Sequence, residues 1–255
     1  MDFLNGIPVY YLALIFGTIT FLITSLGSAL VFLFKKINTN LINAFNSIAA
    51  GIMVAAAFFS LLNPAIELTK ELKQNTVLIC LLGFVLGTFL IYLGNIFTKK
   101  ISKEKNSLLI FSITLHNIPE GLSIGVAFGS INSGLPECTL IAAISLALGI
   151  GIQNFPEGSA ISLPLLGSGK SKFHSFIIGS LSAIVEPISA LIGALLVIKV
   201  KSIMPLFLTI SSAAMIFVAI SELVPESMLG KNKVLMSILF MSGFLLMMSL
   251  DLGLG

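Results

Sequence analysis

The chain has no arginine, and its 14 basic residues are all lysine. Charge of either sign is scarce: 10% of the 255 residues are charged and 56% are apolar, with a net charge of +3 and a mean hydropathy of +1.08. A soluble core of this size does not need so apolar a composition. Nucleic-acid binding would need a clustered basic face, and the lysines sit instead in short loops between apolar runs. The group Lys99, Lys100, Lys103 and Lys105 reads as the cytoplasmic flank of a membrane span. Cysteine is limited to Cys80 and Cys138, with no CxxC or zinc-knuckle spacing. Both fall near the outer side of the topology below, which leaves a disulfide between them open. A phosphate-binding loop and an HExxH helix are both missing, so neither nucleotide-driven work nor an intramembrane metalloprotease is expected, and the chain reads as no enzyme. Residues 1–6 lack a basic leader and the apolar run behind them is too long for a signal peptide, so it is expected to stay as a first helix. No run alternates with period two, which argues against a barrel.

What the chain does have is long apolar runs. They cover residues 8–34, 41–62, 76–97, 108–129, 139–165, 173–198, 204–223 and 233–251, with the second able to extend through Asn63-Pro64-Ala65-Ile66. At about 1.5 Å per residue most suit a hydrocarbon core of about 30 Å. The expected fold is an all-α polytopic membrane protein of eight transmembrane helices, one transmembrane domain over residues 1–255. Ten of the 14 lysines fall in the loops after the first, third, fifth and seventh runs. The positive-inside rule then puts those loops in the cytoplasm and both termini outside. Small residues recur every four positions, at Gly83 and Gly87 and at Gly121, Gly125 and Gly129. Such rows let helices approach closely, either as a sliding or sealing face or as ordinary bundle packing.

The chemistry sits in a motif that occurs twice. His116-Asn117-Ile118-Pro119-Glu120-Gly121 is followed 37 residues later by Gln153-Asn154-Phe155-Pro156-Glu157-Gly158, each deep inside an apolar run. On a helix, positions three and four apart share a face, so His116, Asn117 and Glu120 project together, as do Gln153, Asn154 and Glu157. A short loop joins the two runs, so they are antiparallel and the motifs can face each other. Pro119 and Pro156 withhold hydrogen bonds from the carbonyls of Leu115 and Ile152, and both helices are expected to be broken there. Carbonyls freed inside a membrane are tolerated where they are buried in protein or line a wet cavity.

The sixth run adds Glu186 beside Pro187. One ionised carboxylate at the bilayer centre costs about 3 kcal/mol or more. Three of them, with no lysine inside the spans, call for cations or protons. A divalent metal held by Glu120, Glu157 and Glu186, with His116 and the amides, answers that cost. Imidazole mixed with carboxylate suits zinc, iron, manganese or cadmium better than magnesium or calcium. A proton-coupled carrier of a small solute, using the glutamates for protons alone, is the competing reading. His174, among Lys170, Ser171 and Lys172, reads as a solvated loop residue.

The paired H-N-x-P-E-G and Q-N-x-P-E-G signatures, with eight spans and outer termini, resemble the ZIP (Zrt-, Irt-like) family of divalent-metal transporters, in particular its bacterial GufA-like branch. The resemblance covers nearly the whole chain. It implies inward transport of zinc, and also of cadmium, iron or manganese, across the cell membrane. It also implies a two-metal centre of His116, Asn117, Glu120, Gln153, Asn154, Glu157 and Glu186, with Glu120 and Glu157 bridging the ions. Met53, in Ala-Ala-Gly-Ile-Met, matches a methionine that approaches the first metal in some members, and otherwise reads as core or lipid-facing filler. An elevator motion of the first, fourth, fifth and sixth helices against the rest follows from the same likeness, and a homodimer is compatible with it. Two departures stand out. Residues 98–107 have no histidine, where many members have a histidine-rich loop. Ser221-Glu222 replaces a His-Glu pair near the cytoplasmic end of the seventh span, followed by Pro225-Glu226, which leaves Glu222 and Glu226 as candidates for an exit route.

Overall fold

A computed structural model of the chain describes residues 6–34, 38–101, 107–131, 139–230 and 232–254. Among these residues every regular element is helical. Helix α1, Val9–Ser28, ends in a tighter turn at Ala29–Leu33. Helix α2, Thr39–Ala56, passes through a wider π turn at Ala57–Leu62 into α3, Asn63–Glu71. Then come α4 Thr76–Ile101, α5 Ser107–Gly129, α6 Leu140–Gly167, α7 Lys172–Leu181 and α8 Val185–Leu195. Helix α9, Val197–Val218, runs through a second π turn at Ala219–Leu223 into the single turn α10, Val224–Ser227, and α11 spans Lys233–Leu254. The short polar loops supply the helix starts. Asn38, Asn75, Thr139, Ser171 and Asn232 each accept a hydrogen bond from the backbone N–H three residues on, satisfying one of the donors a helix start leaves open.

Among the described residues seven segments are long and apolar enough to cross a membrane: Val9–Leu33, Thr39–Glu71, Thr76–Phe97, Leu140–Gly167, Lys172–Leu195, Ser202–Ser227 and Lys233–Gly253. The other long helix, α5, has 23 residues, but His116, Asn117, Pro119 and Glu120 in its middle dilute its hydropathy. The chain is an all-helical, multi-pass membrane protein.

Three expectations need correction. The second run is longer than its apolar core, since Asn38 starts the helix at Thr39 and the π turn carries it on to Glu71. Helices α5 and α6 are not broken: each runs on through its proline, losing one backbone bond without losing its course. The break falls in the sixth run instead, at residues 182–184, between α7 and α8. There Ala183, Ile184 and Glu186 donate to carbonyls three residues back, and the Ala183 carbonyl, which a continuous helix would leave facing Pro187, is taken by the Glu186 N–H. Pro187 thereby falls in the first turn of α8, where a missing N–H costs nothing. Lys35, Lys36, Lys103, Lys105, Lys231 and Cys138 lie outside the described residues, and the Cys80–Cys138 pairing with them.

The helices pack as two groups. One contains α1, α5, α6, α7 and α8; the other contains α2, α3, α4, α9, α10 and α11. The first group has a core of its own, built from Leu12, Ile124, Phe128, Ile150 and small residues such as Ala147 and Ala190, with Phe16 stacked on Phe128 at 4.9 Å. A larger core lies mainly in the second group and takes in Ile113, Leu122, Ala160 and Ile161 from α5 and α6. Both glycine rows lie inside a group, not on the boundary between groups. Gly121, Gly125 and Gly129 press on the α8 backbone at Glu186, Ala190 and Ala194, and a Cβ at Gly125 would collide with the Ala190 carbonyl. Gly83 and Gly87 press in the same way on α9. The rows are therefore bundle packing, and they fuse α5 to α8 and α4 to α9.

Candidate metal centre

The two motifs meet as their spacing requires. Helices α5 and α6 cross with His116, Asn117 and Glu120 facing Gln153, Asn154 and Glu157, and all six residues are at most 2% exposed. The first residue of each motif reaches the glutamate of the other. His116 Nε2 is 3.0 Å from Glu157 Oε2, and Gln153 Nε2 donates to Glu120 Oε1 at 2.9 Å. His116 Nε2 also lies 3.7 Å from Glu120 Oε1, one helical turn along α5. One ligand atom each from His116, Glu120 and Glu157 falls within 4.8 Å of the other two, a group that could hold a metal ion. Ligands about 2.0–2.2 Å from a tetrahedral ion sit roughly 3.4 Å apart, so closing the group on an ion needs shifts of about an ångström.

The asparagines turn to the sixth span. Asn117 Nδ2 donates to the Ser182 carbonyl at 3.2 Å, at the break between α7 and α8. Asn154 and Thr20 are the polar neighbours of the Glu186 carboxyl group, and Glu157 acts on it through space. Gly121 lets the Glu186 backbone come against α5. Several lone-pair atoms are left buried without a hydrogen-bond partner: Glu120 Oε2, Glu157 Oε1, both Glu186 oxygens, and the side-chain oxygens of Asn117 and Asn154. An unsatisfied buried polar atom costs about 1–3 kcal/mol, more for a charged one. These six unpartnered oxygens, with the Asn154 amide nitrogen and His116 Nδ1 also left without partners, make a site short of positive charge.

A cavity of about 660 Å³ leads to this cluster from the end of the bundle that holds the start of α1 and the end of α11. Glu120 and Gln153 close its inner end, and Ser60, Ser123, Thr139 and Asp251 are among its polar walls. Asp251 accepts a hydrogen bond from Ser60 Oγ at 2.9 Å. Neither residue is marked in the sequence: Asp251 is a lone carboxylate at the end of an apolar run, and Ser60 is one serine within another. The other candidates stand apart. Met53 is fully buried in the core that α2 shares with α6. Glu222 lies half-buried in the second π turn, and Glu226 in α10 accepts from Asn46 Nδ2 at 3.3 Å, towards the opposite end. His174 is exposed, as a solvated residue should be, though on the first turn of α7 and not in a loop.

A membrane-crossing helical bundle with an imidazole and paired carboxylates buried at mid-height defines a metal-handling membrane protein. Residues 106–251 match the family model described as ZIP Zinc transporter, and the chain belongs to that family. It is 32% identical to zinc transporter ZIP11 of Xenopus tropicalis, with 94% of this chain and 96% of the relative covered. It is 30% identical to zinc transporter ZIPB of Bordetella bronchiseptica, covering 98% and 84%, and 36% identical to zinc transporter GufA of Myxococcus xanthus over 59% and 57%.

Proposed function

We propose that this chain carries zinc inward across the cell membrane, through eight spans with both termini outside. The observation that carries the reading is the crossed pairing of His116 with Glu157 and of Gln153 with Glu120 at the foot of the 660 Å³ vestibule. Names shared by the relatives put zinc first; the same imidazole–carboxylate set suits cadmium, iron and manganese.

In this reading two ions occupy the centre. One lies among His116, Glu120 and Glu157. The other lies among Glu120, Glu157, Glu186 and Asn154, with Asn117, Gln153 and Met53 around them. An arriving ion exchanges its water for these oxygens, and the donors now on Glu120 and Glu157 swing aside. A negative interior favours entry by about 2.3 kcal/mol per charge per 100 mV, hence roughly twice that for a divalent ion. The core that the first group keeps to itself supports an elevator, in which the group of α1, α5, α6, α7 and α8 moves as a body and carries the centre past α2, α4, α9 and α11. Glu222 and Glu226 are then waypoints on the cytoplasmic side.

Uptake of labelled zinc into proteoliposomes tests the assignment. The double change Glu120→Ala with Glu157→Ala should reduce uptake to that of empty vesicles, and the purified protein should lose its bound metal. Parent-like transport by this variant ends the assignment. Competition among zinc, cadmium, iron and manganese ranks the cargo.

A further inference from the structure

The bundle has a second opening, on its flank. A crevice of about 460 Å³ lies where the two helix groups part, with α1 and α6 forming one wall and α2 and α11 the other. Its rim residues Ile152 and Leu246 are 42% and 52% exposed, whereas its floor residues Ile52 and Met247 are each 3% exposed. Gln153 is the one polar side chain in its lining. Gln153, Met247 and Leu250 line both this crevice and the vestibule, so these three side chains are what stands between the two spaces.

Water does not suit such a space. An apolar cavity of about 150 Å³ stays dry and accepts small hydrocarbons. This one is about three times larger, and it opens among exposed apolar side chains at the height of the membrane centre, where the surrounding solvent is hydrocarbon. The opposite side of the same three residues faces a vestibule with hydroxyl and carboxylate walls. We propose that one acyl chain of a bilayer phospholipid lies in this crevice, between the two helix groups, and completes the wall of the vestibule against the membrane. The chain fills the gap that the protein leaves between the two groups, and it keeps the foot of the vestibule from leaking sideways.

The inference rests on the membrane-spanning fold and takes from the proposed function only that the vestibule is wet. Its test is scored without metal, so a failed uptake assay and a failed labelling experiment are separate results. The full chain is reconstituted in vesicles of phosphatidylcholine carrying a diazirine in the middle of one acyl chain, illuminated, and mapped by peptide mass spectrometry. Adducts are expected on the floor, at Ile52 and Met247, as well as on the rim. Ile152→Trp narrows the mouth and should lower floor labelling severalfold. Leu86→Trp, on the exposed face of α4, should leave it unchanged, and labelling of α4 itself reports that each variant is folded and inserted. Floor residues without adducts while the rim and α4 are labelled would overturn the proposal. So would floor labelling indifferent to Ile152→Trp, or floor residues cross-linked to a second copy of the chain.

Discussion

The two crossed pairs of the centre share a backbone plan and differ in where they face. Gln153 and Glu120 form the foot of the vestibule, whereas His116 is fully buried and, with Glu157, lies outside its lining. The outer pair joins an amide to a carboxylate, and the inner pair joins an imidazole to one. In the proposed function, the duplicated motif presents a neutral, exchangeable partner where an ion arrives and a stronger ligand where it is held. Duplication makes two carboxylates meet, and in the proposed function the difference between His116 and Gln153 gives the site a direction. If that is right, substitutions should matter less the nearer they lie to the mouth.

The largest effect belongs to the inner pair. Glu157→Gln keeps the shape and removes a charge that His116 and any bound ion share. Metal retention and uptake should fall by about 100-fold or more, since stripping one partner from a buried charged group costs about 3–5 kcal/mol. Equilibrium dialysis of zinc against the purified protein reads this directly, and near-normal retention would put the holding site elsewhere. His116→Gln, which makes the two arms alike, should weaken retention by at least about tenfold, in line with the cost of losing one supporting group at a metal site. Gln153→His makes them alike in the other direction. It should tighten retention and slow release, so that uptake falls while bound metal rises.

Gln153→Ala is a gentler perturbation. It removes the donor that holds Glu120 in place, and the expected loss is about three- to tenfold in uptake at low zinc, the size of one ordinary hydrogen bond of about 0.5–1.5 kcal/mol. Retention measured at equilibrium should move less than uptake. If both fall equally, Gln153 is a ligand and not a positioning residue.

How much of this was legible beforehand depends on whether the signal is local. Apolar run length marks the helices, and capping residues such as Asn38 and Ser171 mark their starts. The motif gives the crossing of α5 and α6 because a four-residue spacing and an antiparallel pair leave little freedom. The break before Pro187 was not legible against the continuity through Pro119 and Pro156. All three are prolines beside a glutamate, and the bonds made by Ala183, Ile184 and Glu186 set the third apart. The π turns ahead of Pro64 and Pro225 were equally hidden. Each shifts the helix register just before a proline, and in the first of them the Ala57 carbonyl is met by Ser212 Oγ from α9, 155 residues away. The grouping of helices was within reach through the family resemblance but not from the residues themselves. The sequence shows glycine rows but not what they touch, so the choice between a sliding face and tight packing needed the partners.

Asp251 provides the smallest test and the one that bounds the comparison on its outer side. It is half-buried in the vestibule wall, held by Ser60, and it is separated from the crossed pairs by the length of the cavity. A charge at the mouth of a wet cavity acts on the approach of an ion more than on its holding, and salt screens it. Asp251→Asn should therefore lower uptake about two- to threefold at subsaturating zinc, as expected for a rim charge that changes arrival. The saturating velocity should stay as it was, and the difference should fade as ionic strength rises. Ser60→Ala, which only frees the carboxylate, should do less. A loss in saturating velocity as deep as that of Glu157→Gln would mean that Asp251 touches the ion during the crossing, and the gradient from mouth to centre would not exist.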